Sequence, residues 1–170
     1  MLVRSRRLPP LFSLAFVCLC LIPATLPAQG IKKIMGVAEH ALISPEQIRM
    51  RAKLDSGAKT TSLHAPQITH FMRTGKQMVR FTVKGEKGGP VKFEKEVVRT
   101  AKIKRHTGSQ MERPVILFGI CLGRVYRKVE VNLVDRGRFQ FPLLIGRNFM
   151  AGHIIIDPEL TYTAKPDCNP

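Results

Sequence analysis

Short segments of alternating apolar and polar residues, separated by turns containing Gly, Pro or Asp, dominate the chain. Residues 48–55, "IRMRAKLD", place apolar side chains on one side and basic side chains on the other. Two such segments flank "KGEKGGP" within residues 77–98, and two more flank "HTGSQ" within residues 97–122. A period of two residues is typical of β-strands with one buried face, and the Gly-containing turns predict hairpins.

The remaining segments extend this pattern. Strands are predicted within residues 31–43, 127–137, 139–146 and 154–160, and only residues 147–153, "RNFMAGH", favour a short helix. A helical period is otherwise scarce. We therefore predict an all-β fold, a small closed or sandwiched β domain with one short C-terminal helix.

The N-terminal residues form a separate segment. "MLVRSRRLPP" is basic, an apolar run follows as far as Ile22, and Pro23 leads into small residues that end at Ala28. This order predicts a signal peptide over residues 1–28, so that residues 29–170 form one mature domain, exported to the periplasm or secreted. The alternative is an uncleaved membrane anchor, for which the run is short.

The mature part is strongly basic. The chain has 28 Lys and Arg against 12 Asp and Glu, and removing Arg4, Arg6 and Arg7 with the signal peptide leaves 25 against 12, a net charge of +13. Such a surface attracts acidic polypeptides, anionic envelope polymers or lipid headgroups, although a solvated basic face is an equally simple interpretation. With no Trp and two Tyr, the chain lacks the stacking side chains of a nucleic-acid platform, so nucleic acid is not a predicted partner.

Two cysteines remain after removal of the signal peptide. Cys121 lies in an apolar stretch and Cys168 lies near the C-terminus. An oxidising compartment permits a disulfide between them, which would attach the tail to the body of the domain. A buried, inert Cys121 with a free Cys168 is the alternative.

The segment "AKLDSGAKTTSLHA", residues 52–65, contains one acid in the turn Asp55-Ser56-Gly57. An Asp in such a place often does no more than cap its own turn. A second segment, "FPLLIGRNFM" at residues 141–150, favours a functional role for Asp55 over a purely local one. Its Gly, after large apolar residues, allows the backbone to pack closely beneath a neighbouring loop.

Together, "LDSGA" and "LLIGRN" resemble the acid loop and the apolar-apolar-Gly motif of retropepsin-like aspartic proteases. With "ERPVI", "LVDRGRFQFPLLIGRNFM" and "IIIDPEL", the likeness covers nearly all of residues 31–160. It is closest to a bacterial retropepsin-like family long labelled as ATP-dependent zinc proteases. The sequence has neither a phosphate-binding Gly-rich Lys loop nor a His-Glu-x-x-His motif, so we predict no cofactor and no metal.

The resemblance implies a closed acid-protease barrel and an aspartic endopeptidase. Its catalytic carboxylate would be Asp55, and because the chain has one Asp-Ser/Thr-Gly turn, the second carboxylate would come from another copy in a homodimer. Two such carboxylates share one proton, because like charges at close range cannot both ionise. The residues that would support the catalytic loop are Ser56, whose hydroxyl would tie the loop to its partner, Gly57, Ala58, Leu144, Ile145 and Gly146.

One position departs from the retroviral pattern. Retroviral enzymes have an acid after the catalytic loop that can pair with the Arg of the Gly-Arg-Asn motif, whereas this chain has Lys59, which would repel Arg147. Either Arg147 pairs with another acid, such as Asp157 or Asp135, or the corner of the dimer is built differently.

Proteases of this type also have a flap over the substrate. Counting back along the strands from "GRN" suggests a flap in the hairpin of residues 104–113, with Lys104, Arg105, His106 and Gly108 near its tip, and makes the hairpin around residues 85–90 an insertion. A basic flap favours acidic polypeptide substrates.

Three alternatives remain open at this stage. His64 and His70, joined by His106 and His153, could bind zinc in a metal-dependent peptidase. The same fold could instead be a non-catalytic basic module that holds an anionic envelope partner. A structural envelope protein that docks through its C-terminal tail is a weaker possibility.

Overall fold

A computed structural model of the chain describes residues 30–104 and 110–168. The predicted signal peptide and the predicted flap residues Arg105, His106 and Gly108 lie outside these ranges. Within them, strands make up most of the chain and no helix is long and apolar enough to cross a membrane. The strands are β1 Lys33–Ser44, β2 Ile48–Leu54, β3 Thr61–His64, β4 Thr69–Arg73, β5 Lys76–Val83, β6 Val91–Glu96, β7 Arg99–Lys104, β8 Gln110–Leu122, β9 Val125–Val134, β10 Leu143–Ile145 and β11 Ile154–Thr161, and the helix is α1 Arg147–Met150.

Six strands close into a barrel in the order β1-β2-β10-β3-β9-β8, and β8 pairs back onto β1. The closing ladder is antiparallel and joins Ala41–Ser44 to residues 119–122. Two strands extend the sheet beyond the ring, β11 parallel to β1 and β7 antiparallel to β8. The predicted all-β closed barrel with one short helix is therefore confirmed.

Alternation along the strands fills the barrel. In β2 the residues that the sequence placed on the apolar side, Ile48, Met50, Ala52 and Leu54, are all buried, and those between them are exposed. Burial of such side chains stabilises the fold by about 1.5–3 kcal/mol for each Leu, Ile or Met. The largest fully buried side chains of the barrel include Ile43, Met50, Leu63, Ile116, Phe118, Ile120, Leu122, Leu133, Leu143, Ile145 and Phe149.

A second, three-stranded sheet, β4-β5-β6, is separate from the barrel ladder. It contains the predicted hairpin around residues 85–90, with β5 and β6 paired from Met78↔Glu96 to Val83↔Val91. Phe81 and Phe93 of this sheet pack on Phe118 of the barrel, with ring centroids 6.4 and 5.2 Å apart. The sheet therefore shares the hydrophobic core, although its strands do not pair with those of the barrel.

Four elements differ from the sequence-based expectations. β3 and β4 were not predicted, β10 covers three residues rather than most of 139–146, and α1 covers four residues rather than 147–153. β3 lies between β10 and β9 and buries Thr61, Ser62 and Leu63 in succession, so it has no alternation to detect. The residues before β10 form a turn instead, in which the Phe139 N–H donates to the Arg136 carbonyl at 2.8 Å.

The C-terminal tail is attached at several points. Of the two alternatives for the cysteines, the structure has the Cys121–Cys168 disulfide. The buried carboxylate of Glu39 accepts hydrogen bonds from the Thr163 N–H at 3.0 Å, the Thr163 hydroxyl at 2.6 Å and the Ala164 N–H at 3.2 Å. These bonds attach the tail to the middle of β1.

Candidate active site

Asp55 begins the acid loop, residues 55–60, directly after β2. The strand alternation buries Leu54, and the chain leaves the sheet at Asp55, which is partly exposed. Its Oδ1 accepts a hydrogen bond from the Gly57 N–H at 2.9 Å, and its carbonyl accepts one from the Ala58 N–H at 3.2 Å. Asp55 therefore does cap its own turn, and the bond from Gly57 orients its carboxylate.

The supporting segment, residues 143–148, lies directly beside the acid loop. β10 runs parallel to β2 with Ile145 opposite Leu54, and the Asp55 N–H donates to the Ile145 carbonyl at 3.0 Å. A Cβ on Gly146 would lie 2.7 Å from the carbonyl carbon of Thr60, a distance that only glycine permits. The predicted residues Asp55–Ala58 and Leu144–Gly146 are thus brought together.

Sequence reasoning missed the polar side chains that connect these segments. The Thr61 hydroxyl donates to Asn148 Oδ1 at 2.9 Å and accepts from the Gly146 N–H at 3.1 Å, and Asn148 Oδ1 also accepts the Thr61 N–H at 2.9 Å. Asn132 Nδ2 donates to the Thr61 carbonyl at 2.8 Å, and Asn148 Nδ2 donates to the Glu130 carbonyl at 2.8 Å. Two features of the sequence could have indicated these contacts: the hydroxyl residues at positions 60–62, next to the acid loop, and Asn148 of "GRN".

Of the two alternatives for Arg147, pairing with Asp157 or Asp135 does not occur within one chain. Arg147 Nη1 donates to the carbonyls of Ser56 and Gly57 at 2.7 and 2.9 Å, and no carboxylate of the described residues lies within 4.0 Å. Asp135 instead lies 3.5 Å from His64 Nδ1 and caps its own turn at Gly137, and Asp157 accepts the Glu159 N–H. Within one chain, the main-chain carbonyls of Ser56 and Gly57 in the acid loop therefore accept the hydrogen bonds of Arg147 in place of an acid.

A groove of about 810 Å³ lies beside the acid loop and beneath the β7–β8 hairpin. β7 and β8 pair from Arg99↔Val115 to Lys104↔Gln110, which confirms the hairpin predicted within residues 104–113 but does not test its role as a flap. The groove is basic. Its charged lining side chains are Lys59, Arg99, Lys102, Arg113, Glu130 and Arg136.

The acid of the groove, Glu130, is engaged by Arg99. Arg99 Nη2 and Nε donate to Glu130 Oε2 at 2.6 and 3.0 Å, and this pair joins β7 to β9. The hydrogen bonds from Arg99 lower the pKa of Glu130 and, reciprocally, raise the pKa of Arg99. Burial lowers the pKa of Arg136, the guanidinium of Arg113 lowers it further, and the charge of Asp55 opposes the shift.

The histidines considered as zinc ligands do not form a cluster in the part of the chain that the structure describes. His64 Nδ1 accepts the Arg136 N–H at 2.8 Å, while His70 and His153 are exposed. No three His, Cys, Asp or Glu side chains among residues 30–104 and 110–168 are placed to share a metal ion, and His106 lies outside these ranges.

Comparison with known proteins places this geometry in a family. A family model described as "RimB-like: Retropepsin-like aspartic endopeptidase RimB" matches residues 34–167. Two relatives named "Probable alpha-L-glutamate ligase" are similar to the chain. The protein from Desulfotalea psychrophila is 34% identical over 76% of this chain, and that from Shewanella pealeana is 32% identical over 66%. The chain spans 29% and 25% of the length of these relatives.

A crystal structure from Legionella pneumophila, of a protein of unknown function, has the same architecture. It is 40% identical, has a TM-score of 0.68, and matches 79% of this chain and 100% of its own. The family match, the barrel and the crossing of the acid loop over the supporting segment agree with one another. The chain belongs to the RimB-like family of retropepsin-like aspartic endopeptidases.

Proposed function

We propose that the protein is an exported aspartic endopeptidase in which two copies of Asp55, one from each protomer of a homodimer, activate the water that attacks a peptide bond. The observation that carries the proposal is the position of Asp55. Its backbone N–H is fixed to Ile145, its carboxylate is oriented by Gly57, and a groove large enough for a peptide lies beside its loop.

The chemistry uses the two carboxylates in different protonation states. The ionised Asp55 takes a proton from water, and the resulting hydroxide attacks the scissile carbonyl carbon while the protonated Asp55 donates its proton to the carbonyl oxygen. Collapse of the tetrahedral intermediate breaks the C–N bond, and the leaving nitrogen takes up a proton. One carboxylate per chain makes the second copy a requirement of this mechanism.

The surface beside the acid loop supports self-association. Ser56 and Gly57 are exposed, and a groove of about 330 Å³ adjoins them. Its apolar lining is formed by Met150, Ala151, Ile154 and Ile156. A second copy seated here would cover this apolar surface and bring its own acid loop to the same place.

The substrate that best fits the basic groove is a polypeptide rich in acidic residues, with the β7–β8 hairpin closing over it as a flap. Lys59 and Lys102 are exposed on the groove, and Arg113 and Arg136 also line it. The names of the relatives point in the same direction, since a ligase that adds α-L-glutamate makes acidic peptides. A solvated basic surface with no substrate role would show no preference between acidic and basic peptides.

A cleavage assay tests the proposal. The purified protein would be incubated with denatured protein and with poly-acidic and poly-basic peptides from acid to neutral pH, alongside Asp55→Asn and wild type with a metal chelator. We expect loss of cleavage in Asp55→Asn, no effect of the chelator, and a dimer by analytical ultracentrifugation. A fully active monomer would contradict the shared site, and chelator-sensitive cleavage that survives the substitution would favour a zinc peptidase.

The second candidate function is a non-catalytic module that holds an anionic partner, which the basic charge of the groove favours. Affinity for an acidic polypeptide separates the two functions. A binding module would retain affinity in Asp55→Asn and show no cleavage in wild type at any pH.

Export has a separate test. If the signal peptide is removed after Ala28, the N-terminal residue of protein recovered from a periplasmic or culture-medium fraction is Gln29. Recovery of the full-length chain in the membrane fraction would favour the uncleaved anchor.

A further inference from the structure

Arg136 is a buried arginine on the turn between β9 and β10, with 8% of its surface exposed. Its Nη1 donates to Ser62 Oγ at 3.0 Å, and its Nε donates to the Phe141 carbonyl at 3.1 Å. Its guanidinium carbon lies 4.7 Å from the centre of the Phe139 ring. These contacts hold the side chain in one position at the wall of the groove.

Arg136 has no acid partner within salt-bridge distance among the described residues, and the negative charge of Asp55 acts on it only from farther away. The nearest acid in the sequence, Asp135, lies 3.5 Å from His64 and accepts a hydrogen bond from the Gly137 N–H. Burying a charge without a counter-charge costs free energy, so buried arginines are ordinarily paired. A guanidinium held in this way is complementary to an anion supplied from outside the chain.

A second guanidinium faces the same groove. Arg113, on β8, lines it with Arg136 and contacts Asn132 Oδ1 at 3.4 Å through Nη1. The two positive charges are close enough to repel, which adds to the lowering of the Arg136 pKa. Glu130, the acid among the described residues that line the groove, is engaged by Arg99. The planar, multiple N–H donors of arginine match the two oxygens of a carboxylate.

We infer that Arg136, together with Arg113, binds a carboxylate side chain of the peptide in the groove and determines the preference of the site for acidic residues. This inference rests on the proposed endopeptidase function. It assigns the preference to these two arginines rather than to Lys59 and Lys102, which also line the groove.

Two peptides that differ by one Glu→Gln replacement next to the scissile bond provide the test. Cleavage would be compared as the ratio of kcat/KM values in wild type, and binding would be measured by fluorescence anisotropy in Asp55→Asn. We expect the Glu peptide to be favoured about tenfold or more in both measurements, because a charge-assisted, two-oxygen contact is lost in the Gln peptide.

Variants locate the preference. Arg136→Gln and Arg113→Gln should each bring the Glu/Gln ratio towards one. Arg136→Lys should give an intermediate ratio, because Lys keeps the positive charge but cannot bind both carboxylate oxygens as the guanidinium does. Arg124→Gln is the matched control, since Arg124 is exposed at the opposite end of β8 and β9 and its loss changes the net charge equally. Lys102→Gln, on the hairpin, should change the ratio less than Arg136→Gln.

The ratio separates specificity from structural damage. A variant that is merely less stable lowers cleavage and binding of both peptides equally, and such a result in both Arg136→Gln and Arg113→Gln would overturn the inference. An equal preference for the two peptides in wild type would also overturn it. Failure of the endopeptidase proposal would appear differently, as absence of Asp55-dependent cleavage while the binding ratio still depended on Arg136.

Discussion

The Thr61 hydroxyl donates a hydrogen bond to Asn148 Oδ1 at 2.9 Å, across 87 residues of sequence. The same hydroxyl accepts the Gly146 N–H at 3.1 Å. This one side chain therefore forms hydrogen bonds with two residues of the supporting segment, Gly146 and Asn148. Thr61 is fully buried, and water cannot replace these bonds. The acid loop that begins at Asp55 is therefore attached to the supporting segment through a residue that has no exposed surface.

Replacing Thr61 by Val tests this attachment. The two side chains have the same shape, but Val leaves the buried Gly146 N–H without an acceptor, which costs about 1–3 kcal/mol of unfolding free energy. Urea unfolding of Thr61→Val should show this loss, and cleavage should fall as the acid loop loosens. Thr69→Val, at an exposed position of β4, is the matched control and should change little. Equal stabilities of the two variants would contradict the role given to Thr61.

Gly146→Ala should be more damaging than its small size suggests. The backbone of Gly146 has φ −93° and ψ 177°, which alanine adopts freely, so the cost is steric. The new Cβ would lie 2.7 Å from the Thr60 carbonyl carbon and 2.9 Å from the Thr61 nitrogen, and both belong to rigid backbone. Overpacking of this kind costs about 1–3 kcal/mol.

The larger effect of Gly146→Ala should be on catalysis, because displacing a reacting group by about 1 Å can cost about 100-fold in rate. Gly89→Ala is the control, since a Cβ there meets nothing within 4 Å. The comparison measures kcat/KM and thermal unfolding for both variants. Normal cleavage by Gly146→Ala would mean that the acid loop can shift without consequence.

The strands with one solvent-exposed face could be predicted from the sequence, and those without such a face could not. β2 and the β5–β6 hairpin alternate visibly because one side of each is exposed. β3 is buried between β10 and β9, and β10 has three residues, so neither has a period that a sequence can display. The acid loop and the supporting segment were found through their resemblance to a family, since spacing alone does not bring residues 55 and 146 together.

The burial and the pairing of individual charged residues could not be predicted from the sequence either. Composition predicts a basic surface, yet it cannot distinguish Arg136, which is buried, from exposed arginines such as Arg138. The sequence also left open which groups Arg147 contacts, because backbone carbonyls compete with acids as acceptors once the loop is folded. Both outcomes depend on tertiary positions that no local pattern specifies.

The Arg99–Glu130 pair should make stability depend on pH. Hydrogen bonds from Arg99 lower the pKa of Glu130 below its ordinary value of 4.5, and the positive charge of Lys59 acts in the same direction. A depressed folded-state pKa stabilises the folded protein above pH 4.5, and this contribution is lost as pH falls through the folded-state value. The Glu130 side chain is 40% exposed, so screening limits the effect to about 1 kcal/mol or less.

Urea unfolding of wild type and Glu130→Gln at several pH values measures this contribution. Wild type should be more stable at pH values well above 4.5, and the difference should shrink as Glu130 is protonated at lower pH. Glu46→Gln, in the exposed turn before β2, supplies the control. A difference between wild type and Glu130→Gln that stays constant with pH would show that the substitution acts through packing rather than charge.

The disulfide between Cys121 and Cys168 should stabilise the domain chiefly by restricting the unfolded chain. It closes a loop of 47 residues, for which the loop-entropy relation gives about 4 kcal/mol. The bonds from Thr163 and Ala164 to Glu39, and the bond from the Asp167 N–H to the Gly123 carbonyl at 2.7 Å, do not involve the disulfide, so the folded tail should stay attached without it. Cys168→Ser should therefore lower the free energy of unfolding in guanidinium while cleavage of substrate continues. Adding a reductant supplies the control, because it should destabilise wild type and leave Cys168→Ser unchanged. Free thiols in denatured, non-reduced protein that starts at Gln29 would contradict the pairing.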